Sequence, residues 1–168
     1  MKDETETETG PPVSACTPAK VILGGEHLVL YGAPAVAVPV FERRLVLRLM
    51  MRPGPRLTLP EPLNGAAEAV SELLGGRLLG FARLHISSDI PQRAGLGSSA
   101  ALAVALGRAL VAAAARTDAG DMIDGPLERP SEESLARAVA AVIEGEIHGR
   151  ASGLDTTVVA AGRPIRFD

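Results

Sequence analysis

The sequence predicts an α+β domain, a mostly antiparallel sheet with helices packed on one face. Three observations carry that expectation. Strand and helix candidates mix along the chain without strict βαβ alternation. The 168 residues are enough to bury a real core, and 46% of them are apolar, well above a disordered composition. Aromatic residues make up only 2%, so the core must be built from Leu, Val, Ile and Ala.

Met1 to about Ala15 opens acidic and Thr-rich and reads as a solvated tail, unlike the basic, apolar start of a signal peptide. The domain proper is expected over residues 16–168. Lys20–Leu23 reads as a short strand broken by Gly24 and Gly25, and Leu28–Leu30 and Ala35–Val40 are further strand candidates. The Leu-rich run Arg44–Met51 predicts a strand with one wetter face, ended by Pro53-Gly54-Pro55. Asn64 can cap a helix to Leu74 with Ala66, Ala67, Val70, Leu73 and Leu74 on its apolar face, stopped by Gly75-Gly76.

Phe81–Ser87 alternates and favours a strand. Asp89–Gly97 is a loop, and Ser98–Arg116 is Ala-rich and helical. Thr117–Pro130 carries four breakers and is expected as a surface loop. Ser131 caps another helix, with Glu132 and Glu133 in its first turn, running to about Ile147. Gly149–Gly153 is a loop. Thr156–Ala160 and Pro164–Phe167 read as a closing hairpin.

Composition excludes some functions. With 17 basic and 20 acidic residues the net charge is −3, and no basic patch dominates. Polyanion binding has little support, and so few rings leave little to stack nucleic-acid bases. Cys16 is the single cysteine, which fits a reducing, cytoplasmic setting. No apolar run reads as long enough to span a bilayer.

The strongest local signal is the run Asp89–Ala101. Gly95 and Gly97 let the backbone adopt positive φ and approach a ligand closely. Ser98 and Ser99 stand where a helix begins, and the first amides of a helix lack internal partners and carry partial positive charge. These parts make a phosphate cradle; on their own they also fit a glycine turn with two capping serines. No Gly-Lys-Ser/Thr follows, so this is not a Walker A loop. A looser Rossmann fingerprint would put Ala100 in the third glycine position. It wants an acidic residue after a second strand, and Asp118 falls instead in a breaker-rich stretch.

Pro91, Gly95, Leu96, Gly97, Ser98, Ser99 and Ala100 occupy every fixed position of the string Pro-x-x-x-Gly-Leu-Gly-Ser-Ser-Ala, which resembles the phosphate loop of the GHMP kinase superfamily. Pro18–His27 is similar to that superfamily's amino-terminal motif, although Lys20 with Gly25-Glu26-His27 would otherwise read as a solvated ion pair. Tyr31-Gly32 and the run Glu144…His148-Gly149…Ser152-Gly153-Leu154-Asp155 look like the mevalonate kinase branch. Without that match, Glu144 and Glu146 read as a solvated helix end and Asp155 as a turn residue. Ala19, Gly24 and Ala151 are mild departures.

The resemblance implies an ATP-binding amino-terminal domain that contains a left-handed βαβ unit. It implies phosphorylation of the 5-hydroxyl of mevalonate, with ATP as co-substrate and Mg2+ as cofactor. Residues 91 and 95–100 would bind nucleotide, and Ser99 and Glu144 would ligate the metal. Asp155 would be the catalytic base with Lys20 beside it. Lys20, Glu26, His27 and Asp155 would line the acceptor site. His27 would contact the acceptor or serve the structure, His148 would pack or brace the loop, and Arg93 would meet phosphate or face solvent. Relatives of this type continue into a second, cleft-closing domain. A homodimer or a complementary carboxy-terminal half is therefore an expected partner; nucleic acid and membrane are not. Another GHMP kinase acting on phosphomevalonate, a sugar or homoserine, or a non-catalytic nucleotide-binding half-protein, remains open at this point.

Overall fold

The computed structural model of the chain describes residues 11–25, 31, 33–77, 80–117, 131–149 and 153–167. Two long strands dominate it, β1 (Val13–Gly24) and β2 (Ala35–Pro53). They pair antiparallel from Val13 opposite Leu49 to Gly24 opposite Val36. Val13–Ala15, expected in the tail, thus belong to β1, and Val13 is buried in the core. The two strands expected over residues 35–51 are one. Its inner face carries Leu45, Leu47 and Leu49, all buried, and Val46 and Arg48 point outward, the two-residue period of a half-buried strand.

The ladder slips between Pro18 and Ala19, where the partner jumps from Arg44 to Val40. Pro18 has no N–H to give a ladder, so a bulge tolerates it there. The slip breaks the alternation: Ala19 and Lys20 are consecutive and both buried. The bulge therefore aims a lysine into the interior.

Next come a 3-10 turn at Asn64–Ala66 and helix α1 (Ala67–Leu73). Asn64 makes no side-chain cap, because the chain enters α1 through this turn. Val70 and Leu74 are buried as expected, but Leu73 is exposed. Gly75 and Gly76 end the helix with positive φ. Strand β3 (Gly80–Ser88) pairs antiparallel with β2, and β4 (Ile165–Phe167) pairs antiparallel with the other end of β2. β3 and β4 therefore run the same way along one side of β2. The connection between them is the one on which the left-handed crossover is expected.

That connection holds three helices, α2 (Ser98–Thr117), α3 (Glu132–His148) and α4 (Leu154–Ala161). Helices α2 and α4 pack on the inner face of the sheet and α3 packs on α2, which makes the α+β fold. By length and apolarity α2 would suffice to cross a bilayer, contrary to the reading of the sequence, but two thirds of it is buried inside the protein. It is the core helix, and its many alanines permit close packing. Gly107 shows how close: a Cβ there would lie 2.5 Å from the Ala136 carbonyl oxygen of α3. The Ser131 hydroxyl accepts from the Ser134 amide at 3.2 Å, capping α3 as expected.

One element differs in kind. Thr156–Ala160, expected as the first strand of a hairpin, lie within helix α4. Gly153 enters it in the left-handed conformation, and Leu154 and Val158, four apart, bury against Ala35 and Ala37 of β2. That burial overrides the strand preference of the β-branched run Thr156–Val159. The strand expected at Leu28–Leu30 and most of the loop expected at Thr117–Pro130, Asp118 included, lie outside the described residues.

Candidate active site

The glycine turn leaves β3 and enters α2. Its start is fixed to the bulge of β2: the Asp89 amide donates to the Arg44 carbonyl at 3.1 Å, and the Arg44 amide donates to the Asp89 carboxylate at 2.5 Å. Gly95 and Gly97 have φ of +72° and +71°. Arg93 is exposed and also takes positive φ, an uncommon state for a residue with a side chain. The Ala101 amide donates to the Gly97 carbonyl at 2.9 Å, the first turn of α2. The amides ahead of it are the ones a helix cannot satisfy internally.

The turn docks on β1. The Lys20 amide donates to the Leu96 carbonyl at 3.0 Å, and the Thr17 hydroxyl to the Ala101 carbonyl at 2.9 Å. Gly97 lies so close to the lysine stem that a Cβ there would fall 2.7 Å from Lys20 Cγ. This glycine thus serves both a positive φ and a close approach. Gly95 serves only the first, since a Cβ on it would meet nothing within 4 Å.

Lys20 is 2% exposed, and its Nζ lies 2.8 Å from Asp155 Oδ1. Asp155 sits in the first turn of α4, where a carboxylate is favoured, and its side chain stays partly open. A buried charge needs such a partner, because a lone ammonium out of water is very costly.

Glu144 lies one turn before the end of α3 and is 5% exposed. Its Oε2 has no hydrogen-bond partner. Burial pushes its carboxyl pKa above the ordinary 4.5. The Thr156 hydroxyl nearby, which donates to the Gly153 carbonyl at 3.2 Å, works against the rise, the charge of Asp155 adds to it, and His148 and Lys20 lower it. Four residues on, His148 Nε2 lies 2.8 Å from Ser99 Oγ at the start of α2.

The fold thus brings Lys20, the turn at 95–99, Glu144 and Asp155 together from four elements. Pro91 and Ala100 flank the turn, Pro91 exposed and Ala100 buried. Glu26, His27 and Ser152 lie outside the described residues. Thr156 was not singled out in the sequence; it adjoins Asp155, and only the turn of α4 puts its hydroxyl by Glu144. Among the described residues, no group of three His, Cys, Asp or Glu side chains could hold a metal. Glu144 and Ser99 still suit Mg2+. They are hard oxygen donors, one carboxylate oxygen is buried and unpartnered, and this ion usually keeps waters and substrate phosphate oxygens rather than an all-protein cage.

A cavity of about 810 Å3 lies elsewhere, between residues 56–59 and α1. None of the residues expected in the site lines it, and the buried charges and the glycine turn mark the chemistry more surely than its volume.

A sheet backed by α2 and α4, with a glycine turn set against a buried lysine that pairs with a half-open aspartate, defines the class. The model of the GHMP kinases N terminal domain matches residues 62–163, and the chain belongs to that family. It is 33% identical over 167 residues to the mevalonate kinase of Methanothermobacter thermautotrophicus, covering 92% of this chain and 50% of that protein. It is 31% identical over 217 residues to the mevalonate kinase of Arabidopsis thaliana, covering 92% and 57%. Its fold matches L. major mevalonate kinase, solved in complex with R-mevalonate, with a TM-score of 0.60 and 25% identity over 99% of this chain and 51% of that one. The chain spans about half the length of the curated relatives it matches.

Proposed function

We propose that this chain is the nucleotide-binding half of an ATP-dependent kinase that phosphorylates the 5-hydroxyl of mevalonate. The observation that carries the reading is the contact of the glycine turn with Lys20, itself paired with Asp155 at 2.8 Å. Phosphoryl transfer asks a protein chiefly for positioning and for compensation of negative charge. The turn and the first amides of α2 would receive the phosphates. Lys20 adds a fixed positive charge beside Asp155. Asp155 faces the open side and can accept the proton of an attacking alcohol or orient its hydroxyl. Ser99 and Glu144 would hold Mg2+, which when bound neutralises charge on the phosphates.

The mevalonate acceptor is favoured by the relatives: at 31–33% identity, both curated proteins named above are mevalonate kinases. The chain is incubated with Mg-ATP and R-mevalonate, phosphomevalonate, galactose or homoserine, and ADP release is measured alongside ATP binding. Release with mevalonate alone is expected. Release with another acceptor reassigns the substrate within the family. Binding without release under every acceptor identifies a half-protein that works with a second chain, and absence of binding removes the kinase reading.

A further inference from the structure

His148 has no part in the chemistry assigned above, yet it makes a specific contact. It is the last residue of α3, its side chain is exposed, and its Nε2 lies 2.8 Å from Ser99 Oγ across the gap to α2. It stands four residues after Glu144, so the two side chains share one face of the helix about one turn apart. His148 also acts electrostatically on Glu144, which fits that proximity. The contact therefore ties the Ser99 hydroxyl to the helix face that carries a buried, unpartnered carboxylate oxygen.

A serine side chain alone samples three rotamers, and its hydroxyl turns freely within each. As a neutral oxygen it is a weak donor to a cation unless it is held in place. A neutral imidazole nitrogen that accepts a hydrogen bond from the hydroxyl fixes the rotamer and leaves both oxygen lone pairs free. We propose that His148 is a positioning residue that holds the Ser99 hydroxyl beside the Glu144 carboxylate, so that the two oxygens form a preset pair for the divalent cation carried by the nucleotide. This rests on the kinase reading of the site. Partners of this kind orient ligands without touching the metal, and losing one typically costs tenfold or more in metal affinity.

The test separates cation from nucleotide. ATP affinity is measured calorimetrically with Mn2+ and without any divalent cation, and the ratio is compared among variants. His148→Phe keeps the ring volume and loses the polar atom; His148→Gln keeps a polar atom at similar reach. For His148→Phe the metal-free affinity should stay within about twofold, while the gain from Mn2+ falls about tenfold. His148→Gln should recover most of that gain, and His148→Phe should add nothing in a Ser99→Ala background. Since the site is exposed, the melting temperature should barely move, and His148→Ala supplies the same comparison if the larger ring disturbs folding. An unchanged Mn2+ gain, or an equal loss with and without metal, overturns the inference and leaves the kinase reading standing. A parent chain that binds no ATP overturns both.

Discussion

Two substitutions at glycines of one turn separate local strain from packing. Both Gly95 and Gly97 hold positive φ, which costs a residue with a side chain about 1–2 kcal/mol. Gly95→Ala should lose only that, because open space surrounds it. Gly97→Ala must also displace the stem of a buried, ion-paired lysine. It should lower the melting temperature further and weaken ATP binding more; equal effects at the two positions would show that the approach to Lys20 is not tight. Glu144 gives a pH test. Its pKa is raised on folding, so its contribution to stability is present below 4.5 and lost as pH rises through the folded value. Glu144→Gln should therefore stabilise the ligand-free chain at pH 7, with the gain fading toward about pH 4, while the Mg2+ dependence of ATP binding is lost. A variant less stable than the parent at pH 7 would contradict this. At this scale Lys20, Gly97, Ser99, Glu144 and Asp155 were legible because their spacing resembles known motifs. Thr156 and the His148–Ser99 contact were not, since each depends on helices meeting across 12 or 49 positions.

The elements are specified unevenly. Helices α2 and α3 were legible almost to their ends, because propensity, capping and glycine punctuation agree there. Helix α4 was not, since Thr156–Val159 favours a strand until Leu154 and Val158 find Ala35 and Ala37. The continuity of β2 was hidden for a similar reason. Its register shift belongs to the pairing: the mark it leaves is Pro18 on β1, and β2 itself shows none. The packing of α2 on α3 yields a prediction of sign. Alanine is a better helix former than glycine by about 1 kcal/mol, yet Gly107→Ala would set a methyl 2.5 Å from the Ala136 carbonyl oxygen. The clash should win, giving a net loss of about 1–3 kcal/mol in urea unfolding. A stabilised variant would mean that the helices can part at little cost. Ser131→Ala should cost about 1 kcal/mol through the lost cap.

For the whole molecule, the resemblance over residues 18–167 agrees with a family match at 62–163, and the antiparallel sheet with helices on one face agrees with the expected fold. Sequence could not show how the glycine turn reaches the Lys20–Asp155 pair. That depends on the bulge at Pro18, the reciprocal bonds between Arg44 and Asp89, and the bond from Lys20 to Leu96. Together they set the turn against β1, and the His148–Ser99 and Lys20–Asp155 contacts add α3 and α4, so ligand binding at the turn should be felt at Lys20.

Amide chemical shifts during a titration with Mg-ATP test this most directly. Saturable shifts at Gly95, Gly97, Ser98, Ser99 and Lys20, growing with one dissociation constant, are the predicted result. Saturable binding that leaves those amides unmoved and shifts only residues around the cavity at 56–76 would contradict it.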